Sequence, residues 1–416
     1  MNSEPIVVIA GVRTPFAKLG TTLAGLGAVD LARAAMLGVL VRTGVDPGRI
    51  GEVIFGCVAQ PADAPNLARV AALRSGIPTD VPAVTVQRNC ASGTEAITQA
   101  VLRIQGGQGD LYLVGGVESM SSIPLLFPKS AGAKLASLAS GRGLLQKARA
   151  AIRLRPHDLL PTPALKLGLT DPVCGLNMGQ TAEILAREFE IGRKEQDLFA
   201  LRSHVRAAAA VDKLAEEIVP AYDNLRGTAV LNDNGVRSNQ TLEVLAKLRP
   251  VFEPETGTVT AGNSSQITDG AVALLVGTAS VARELNLEPL GIIRDFAYAG
   301  CDPKRMGLGP VYAVDRLLKR LHLNLADADV IEINEAFAAQ VLSVLRELKA
   351  TGIGEIPDEK LNVNGGAIAL GHPVGASGAR LVLTALKQLR RSGGQNALVT
   401  LCVGGGQGAA LWLACP

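Results

Sequence analysis

Short runs of aliphatic residues alternate along the chain with longer stretches whose apolar positions recur every three to four residues. Residues 6–9, 52–55, 84–86 and 111–114 read as strands, with helices at 29–43, 67–75 and 90–104 between them. The rhythm returns near the C-terminus, with strands at 330–333, 361–363, 398–402 and 409–413 and helices at 335–348 and 376–389. Strands without polar alternation are buried on both faces, so the pattern predicts a mostly parallel α/β sheet with helices on each side. The two ends also match in detail. Cys90-Ala91-Ser92-Gly93 opens one helix and Gly375-Ala376-Ser377-Gly378 another, and the strands that follow end in Val114-Gly115-Gly116 and Val403-Gly404-Gly405. Two similar halves are expected.

Between them lies a stretch of another character. Residues 123–267 carry three helical patterns (179–189, 194–214, 242–248) separated by turn-rich connections, and residues 268–279 read as a return to the sheet. The expected division is 1–122 with 268–284, an inserted loop domain at 123–267, and 285–416.

The composition supports a large packed core: 416 residues, 48% hydrophobic and 19% charged, enough for two or three units. A net charge of +3 is too balanced for a dedicated nucleic-acid binder, and 3% aromatics leave little to stack bases on. The charge is uneven, however. Seven basic residues from Lys129 to Arg155 meet no acid between Ser119 and His157, leaving 34 basic against 38 acidic residues elsewhere. Leu138, Leu145 and Ile152 add an apolar stripe at spacing seven beside Arg142, Arg149 and Arg153. This element is expected to meet an anionic membrane surface or a partner subunit, or to lie as a solvated helix over the active site.

The six cysteines form no C-x-x-C pair and no disulfide framework, and the N-terminus has no signal-peptide pattern, so a reducing cytoplasm is expected. The run 397–415 is apolar enough for a membrane helix, but four glycines at its centre favour two buried strands joined by a turn.

Three residues stand out chemically. Cys90 follows a strand and begins a helix, where the helix dipole and free N–H groups favour a thiolate. His372 sits in Asn364-Gly365-Gly366-Ala367-Ile368-Ala369-Leu370-Gly371-His372-Pro373-Val374-Gly375, a glycine-crowded loop, and an imidazole there can accept a thiol proton. Cys402 ends a strand before Gly404-Gly405-Gly406, whose N–H groups can hold an oxyanion. Asn334 ends another strand, as a helix N-cap or as a residue that positions water or a carbonyl. His157, His204 and His322 are read as surface or packing residues. A phosphate-binding P-loop, zinc-ligand spacing and a G-x-S-x-G elbow are all absent.

In order, these segments resemble the thiolase family over nearly the whole chain. The resemblance rests on Arg13-Thr14-Pro15-Phe16, Asn89-Cys90-Ala91-Ser92-Gly93, Gly115-Gly116-Val117-Glu118-Ser119-Met120-Ser121, Asn177-Met178-Gly179-Gln180-Thr181-Ala182-Glu183 and Lys247-Leu248-Arg249-Pro250. It continues through Ala261-Gly262-Asn263-Ser264-Ser265, Asn334-Glu335-Ala336-Phe337, Gly371-His372-Pro373 and Cys402-Val403-Gly404-Gly405-Gly406. It implies a five-layered α/β/α/β/α body of two duplicated halves with a loop domain, working as a homodimer or dimer of dimers. It also implies an acyltransferase that cleaves 3-ketoacyl-CoA to acetyl-CoA and a shortened acyl-CoA, or condenses two acetyl-CoA. By this resemblance Cys90 carries the acyl group, His372 takes its proton and Cys402 moves the proton at the α-carbon. Asn334 holds a water in one oxyanion hole, and the N–H groups of Cys90 and Gly404 form the other. Coenzyme A enters as substrate, with no permanently bound cofactor and no metal, against Met178, Arg237, Phe252, Ala261, Ser265 and Phe337. Asn177 stands where many members carry His. The basic run resembles the insertion of thiolase subunits in fatty-acid oxidation complexes, which implies a hydratase/dehydrogenase partner. A condensing synthase of the same superfamily is the alternative enzyme, and a non-catalytic acyl-CoA carrier the alternative class.

Overall fold

The computed structural model describes residues 4–223 and 226–416. Nine strands form one continuous path: β1 (Ile6–Arg13), β2 (Glu52–Gly56), β3 (Ala83–Val86), β4 (Leu111–Glu118), β5 (Thr268–Thr278), β6 (Gly291–Gly300), β7 (Val330–Ile333), β8 (Asn396–Val403) and β9 (Gln407–Ala414), in the order β7-β8-β9-β6-β1-β5-β4-β2-β3. The two-residue strand Ala17–Lys18 pairs with β5 off this path.

The sheet is mixed, not mostly parallel as the β/α rhythm predicts. Only β2 with β3, β2 with β4, and β7 with β8 are parallel. The rhythm describes strands joined by helices, whereas β5 returns after the long insertion and β9 returns through the tight turn 404–406, each entering antiparallel. Residues 361–363 do not form a strand. One bridge, Leu361 to Ile331, is made before Asn362 adopts φ 45° and binds the backbone of Ile333 through its side chain. The apolar run 397–415 is the β8–β9 hairpin, and among the described residues no helix is long and apolar enough to cross a membrane.

Three apolar cores lie between five layers. Helices α1 (Ala28–Thr43) and α2 (Leu67–Arg74) cover one outer face, packing Met36, Leu67 and Val39 against Ala271, Ala273 and Leu275 of β5. The alternate residues of β5, Val272, Leu274 and Val276, face the opposite way, into a central core with α3 (Ser92–Gln105). That core also holds the C-terminal half's long helix (Ser377–Ser392) and Val399 and Leu401 of β8. On the far side Leu398 of β8 and Trp412 of β9 pack under helices Gly309–Leu321 and Ala338–Ala350. The two central helices touch at glycines. A Cβ on Gly378 would overlap the Thr94 hydroxyl, and one on Gly93 would sit 2.9 Å from Ala379 N. The motifs that match in sequence are therefore the ones that meet in the middle of the molecule.

The insertion runs over one end of this body. Arg13, fully buried, ties it down through Glu217 (2.9 Å) and Asp233 (2.6 and 2.8 Å). The basic run folds as two short helices, α4 (Lys129–Ser140) and α5 (Leu144–Ile152), broken at residues 141–143 by two glycines. The spacing-seven stripe therefore does not lie on one continuous helix. Leu138 is half-buried on α4, whereas Leu145 and Ile152 are exposed on α5.

Candidate active site

Cys90 sits in the turn between β3 and α3, two residues before the first helical residue. Asn89, at φ 43°, makes the reversal sharp, a backbone state that Asn tolerates better than most side chains. Its amide Nδ2 donates to the Gly404 carbonyl at 2.8 Å, which joins this turn to the β8–β9 turn of the other half. Burial raises the Cys90 thiol pKa. The Gly404 N–H and the N–H of Cys90 itself, both donating to the sulfur, oppose that rise. Gly405 and Gly406 take φ 87° and 77°, which lets this turn close over the sulfur.

Cys402, at the end of β8, is buried with Met178, Phe252, Phe337 and Met306 around it. Its thiol pKa lies well above the ordinary value, first from burial and then from the nearby Cys90 thiol. The two sulfurs therefore share one environment although they come from opposite halves of the chain.

His372 is held by its loop from below. Its backbone N–H donates to Gln266 O and to Thr268 Oγ1, both at 3.2 Å. Under the loop, buried Glu335 accepts from Ser203 Oγ (2.6 Å), Asn362 Nδ2 (2.9 Å) and Ile368 N (3.2 Å). Nδ1 of the imidazole lies 2.5 Å from Ser377 Oγ, and Nε2 lies 3.5 Å from Asn334 Nδ2. Burial, with Arg380 adding to it, pulls the imidazole pKa down to about 4. Asn334 is not a helix N-cap, since the next helix starts at Ala338 behind Phe337. It is fully buried, and its Oδ1 has no protein partner.

Cys90, His372, Cys402 and Gly404 line a single cavity of about 1380 Å³. So do Met178, Arg237, Phe252, Ala261, Ser265 and Phe337. Asn334 reaches the same place through His372. Phe252 and Phe337 meet edge to face at 5.9 Å, and Phe252 lies where a Cβ on Gly179 would be. Arg237 is exposed at the mouth with Lys18, whose pKa is lowered by burial and by Arg237. Among the described residues no three His, Cys, Asp or Glu side chains are grouped as metal ligands.

Sequence reasoning passed over several participants. Glu118, a cavity-lining carboxylate, accepts from Val58 N (3.2 Å), Ala59 N (2.9 Å) and Gly375 N (2.9 Å), and burial lifts its pKa to about 6. A carboxylate at the end of an otherwise apolar, fully buried strand was the available signal. His204 is buried and accepts the Arg237 N–H at 3.2 Å, so it shapes the Arg237 loop. His157 is exposed and His322 closes a helix in the left-handed conformation.

Residues 6–280 match the family description "Thiolase, N-terminal domain", and residues 287–414 match "Thiolase, C-terminal domain". The chain belongs to the thiolase family. A curated 3-ketoacyl-CoA thiolase of Serratia proteamaculans is 39% identical over 424 residues, spanning 99% of this chain and 97% of that one. The crystal structure of the Bacillus anthracis acetyl-CoA acetyltransferase superposes with a TM-score of 0.89 at 38% identity, covering 99% of each chain. That of human mitochondrial 3-ketoacyl-CoA thiolase in complex with CoA gives 0.87 at 37% identity, over 99% of this chain and 98% of that one. A thiolase is an acyltransferase, and in this chain two thiols and one imidazole, of Cys90, Cys402 and His372, line one cavity.

Proposed function

We propose that this chain cleaves 3-ketoacyl-CoA with coenzyme A, reversibly, through an acyl group carried on Cys90. The observation that carries the reading is the meeting of Cys90, His372 and Cys402 at one cavity wall from three distant segments. The Cys90 proton passes to His372 Nε2 as sulfur attacks the 3-keto carbon. The C2–C3 bond breaks, and the departing acetyl-CoA enolate takes its proton at C2 from Cys402. Coenzyme A then attacks the Cys90 thioester. Its thiol proton returns to the Cys402 thiolate, and Cys90 leaves with the proton held by His372. The thioester oxygen is met by the Cys90 and Gly404 N–H groups, and the enolate oxygen by His372 and a water on Asn334, whose buried Oδ1 lacks a protein partner. A sulfur nucleophile keeps the intermediate at the thioester energy level, so either direction runs. Incubation with acetyl-CoA is expected to add one acetyl group by intact mass, and Cys90→Ala to remove it. Acetylation that persists in Cys90→Ala overturns the assignment.

The pantetheine arm is placed along Met178, Phe252, Ala261, Ser265 and Phe337, with Arg237 and Lys18 toward the phosphates. The cavity has a further wall of Ile123, Leu126, Leu165, Leu167 and Leu169, all from the insertion, which suits an acyl chain longer than acetoacetyl. The division 1–122 with 268–284, 123–267 and 285–416 belongs to this reading. A homodimer is supported by β3, a sheet edge whose four residues are only half-buried. A cytoplasmic setting is supported by six free cysteines. The α4–α5 hairpin is read as the contact to an anionic membrane surface. Lys134 pairs with Asp158 at 2.6 Å, while Lys129, Arg142, Lys147, Arg149, Arg153 and Arg155 make no ion pair among the described residues.

A further inference from the structure

We propose that Ser377 is a positioning residue that selects the tautomer of His372; this rests on His372 being the base for Cys90. An imidazole can accept the Cys90 proton at Nε2 only when its own proton sits on Nδ1. With a pKa near 4 the resting ring is neutral, so one nitrogen carries hydrogen and the other does not. Both polar neighbours select the same arrangement. The Ser377 hydroxyl has a single hydrogen, directed at the Pro373 carbonyl at 3.0 Å, so its oxygen accepts from Nδ1 at 2.5 Å. On the other side the Asn334 Nδ2 group, a donor, faces Nε2 at 3.5 Å and calls for a lone pair there.

The location makes the arrangement rigid. Ser377 is buried at the first position of its helix, and its hydroxyl is fixed by the carbonyl four residues back. The loop that carries both residues is clamped by Glu118, which accepts the Gly375 N–H at 2.9 Å. Ser377 thus orients the base without touching substrate. It is also the third residue of the helix-opening motif repeated in the N-terminal half. There its counterpart Ser92 directs its hydroxyl at Asn89 O at 2.7 Å and stiffens the nucleophile turn instead.

Two measurements test this. In ¹⁵N-histidine NMR of the intact enzyme, with His372→Gln to assign the signal among four histidines, the free imidazole is expected to carry its proton on Nδ1. A ring protonated on Nε2 overturns the proposal. Ser377→Ala is expected to lower kcat by about tenfold, the scale of one lost hydrogen bond, with KM nearly unchanged. Ser377→Thr, which keeps the acceptor oxygen, is expected to recover most of it. Unchanged kcat in Ser377→Ala overturns the proposal, and so does a loss that Ser377→Thr shares in a folded enzyme. Full activity in His372→Gln would instead overturn the assignment of the base itself.

Discussion

A cysteine works as a nucleophile only when its proton has a destination. Burial raises Cys90 above the ordinary thiol value and lowers His372 to about 4, so at pH 7 both are neutral. On the proposed mechanism no thiolate–imidazolium pair waits at rest, and the proton moves during the attack. The ultraviolet difference between the wild type and Cys90→Ala at pH 7 is therefore expected to show no thiolate band; a full band would contradict the neutral pair. The sign for pH dependence follows. His372 remains a free base as pH falls through 6.5 and is protonated only near 4. The acid limb of kcat/KM assigned by loss in His372→Gln is expected near pH 4, and a limb at 6.5 would refute this. Cys90, His372 and Cys402, which line one cavity, stood out in the sequence because each lies close to a strand or helix end, His372 and Cys402 in glycine-rich turns. Asn89, Glu118 and Ser377 were not, because their roles depend on partners 315, 257 and 5 residues away that only the fold supplies.

At the level of elements, most strands and helices follow from apolar spacing, with ends shifted by a few residues. Strand β6 and the helix Gly309–Leu321 had no expectation attached, although Val311, Val314, Leu317 and Leu318 recur at helical spacing and are buried. Strand direction was not legible, since periodicity records burial and carries no information about which way a strand runs. The two helices of the basic run are where the pattern says least, because they bury little: Leu144, Leu145 and Ile152 of α5 are 91%, 68% and 83% exposed. Apolar side chains this exposed among unpaired cations suit an anionic bilayer surface. Co-sedimentation with anionic vesicles at low salt is expected, weakened roughly tenfold by Leu145→Glu with Ile152→Glu, while kcat stays unchanged. A chain that stays in the supernatant ends this reading. Leu126→Trp, within the apolar cavity wall, is expected to cut the rate on long 3-ketoacyl-CoA and spare acetoacetyl-CoA; equal loss on both would place the acyl chain elsewhere.

The molecule as a whole is two half-sheets pressed onto a shared pair of helices. The contact is made close by small residues, so Gly378→Ala, which would push a methyl into Thr94, is expected to cost about 1–3 kcal/mol. Urea unfolding should show a lower midpoint at unchanged slope, and an unchanged midpoint would mean the helices have room to part. The half-buried edge β3 predicts a dimer by light scattering, lost or weakened by Val84→Lys, whereas a monomeric wild type would show that edge to be solvated.

The close helix contact also bears on why a chain built twice over has one reaction centre. The residue that corresponds to Cys90 in the second copy is Gly375, and there a Cβ would run into the Val117 carbonyl and lie 3.0 Å from the Glu118 carboxylate. A cysteine cannot stand at that spot without forcing the copies apart. The close fit there leaves the two copies unlike at the cavity, one bringing the Cys90 thiol and the other the His372 imidazole and the Cys402 thiol.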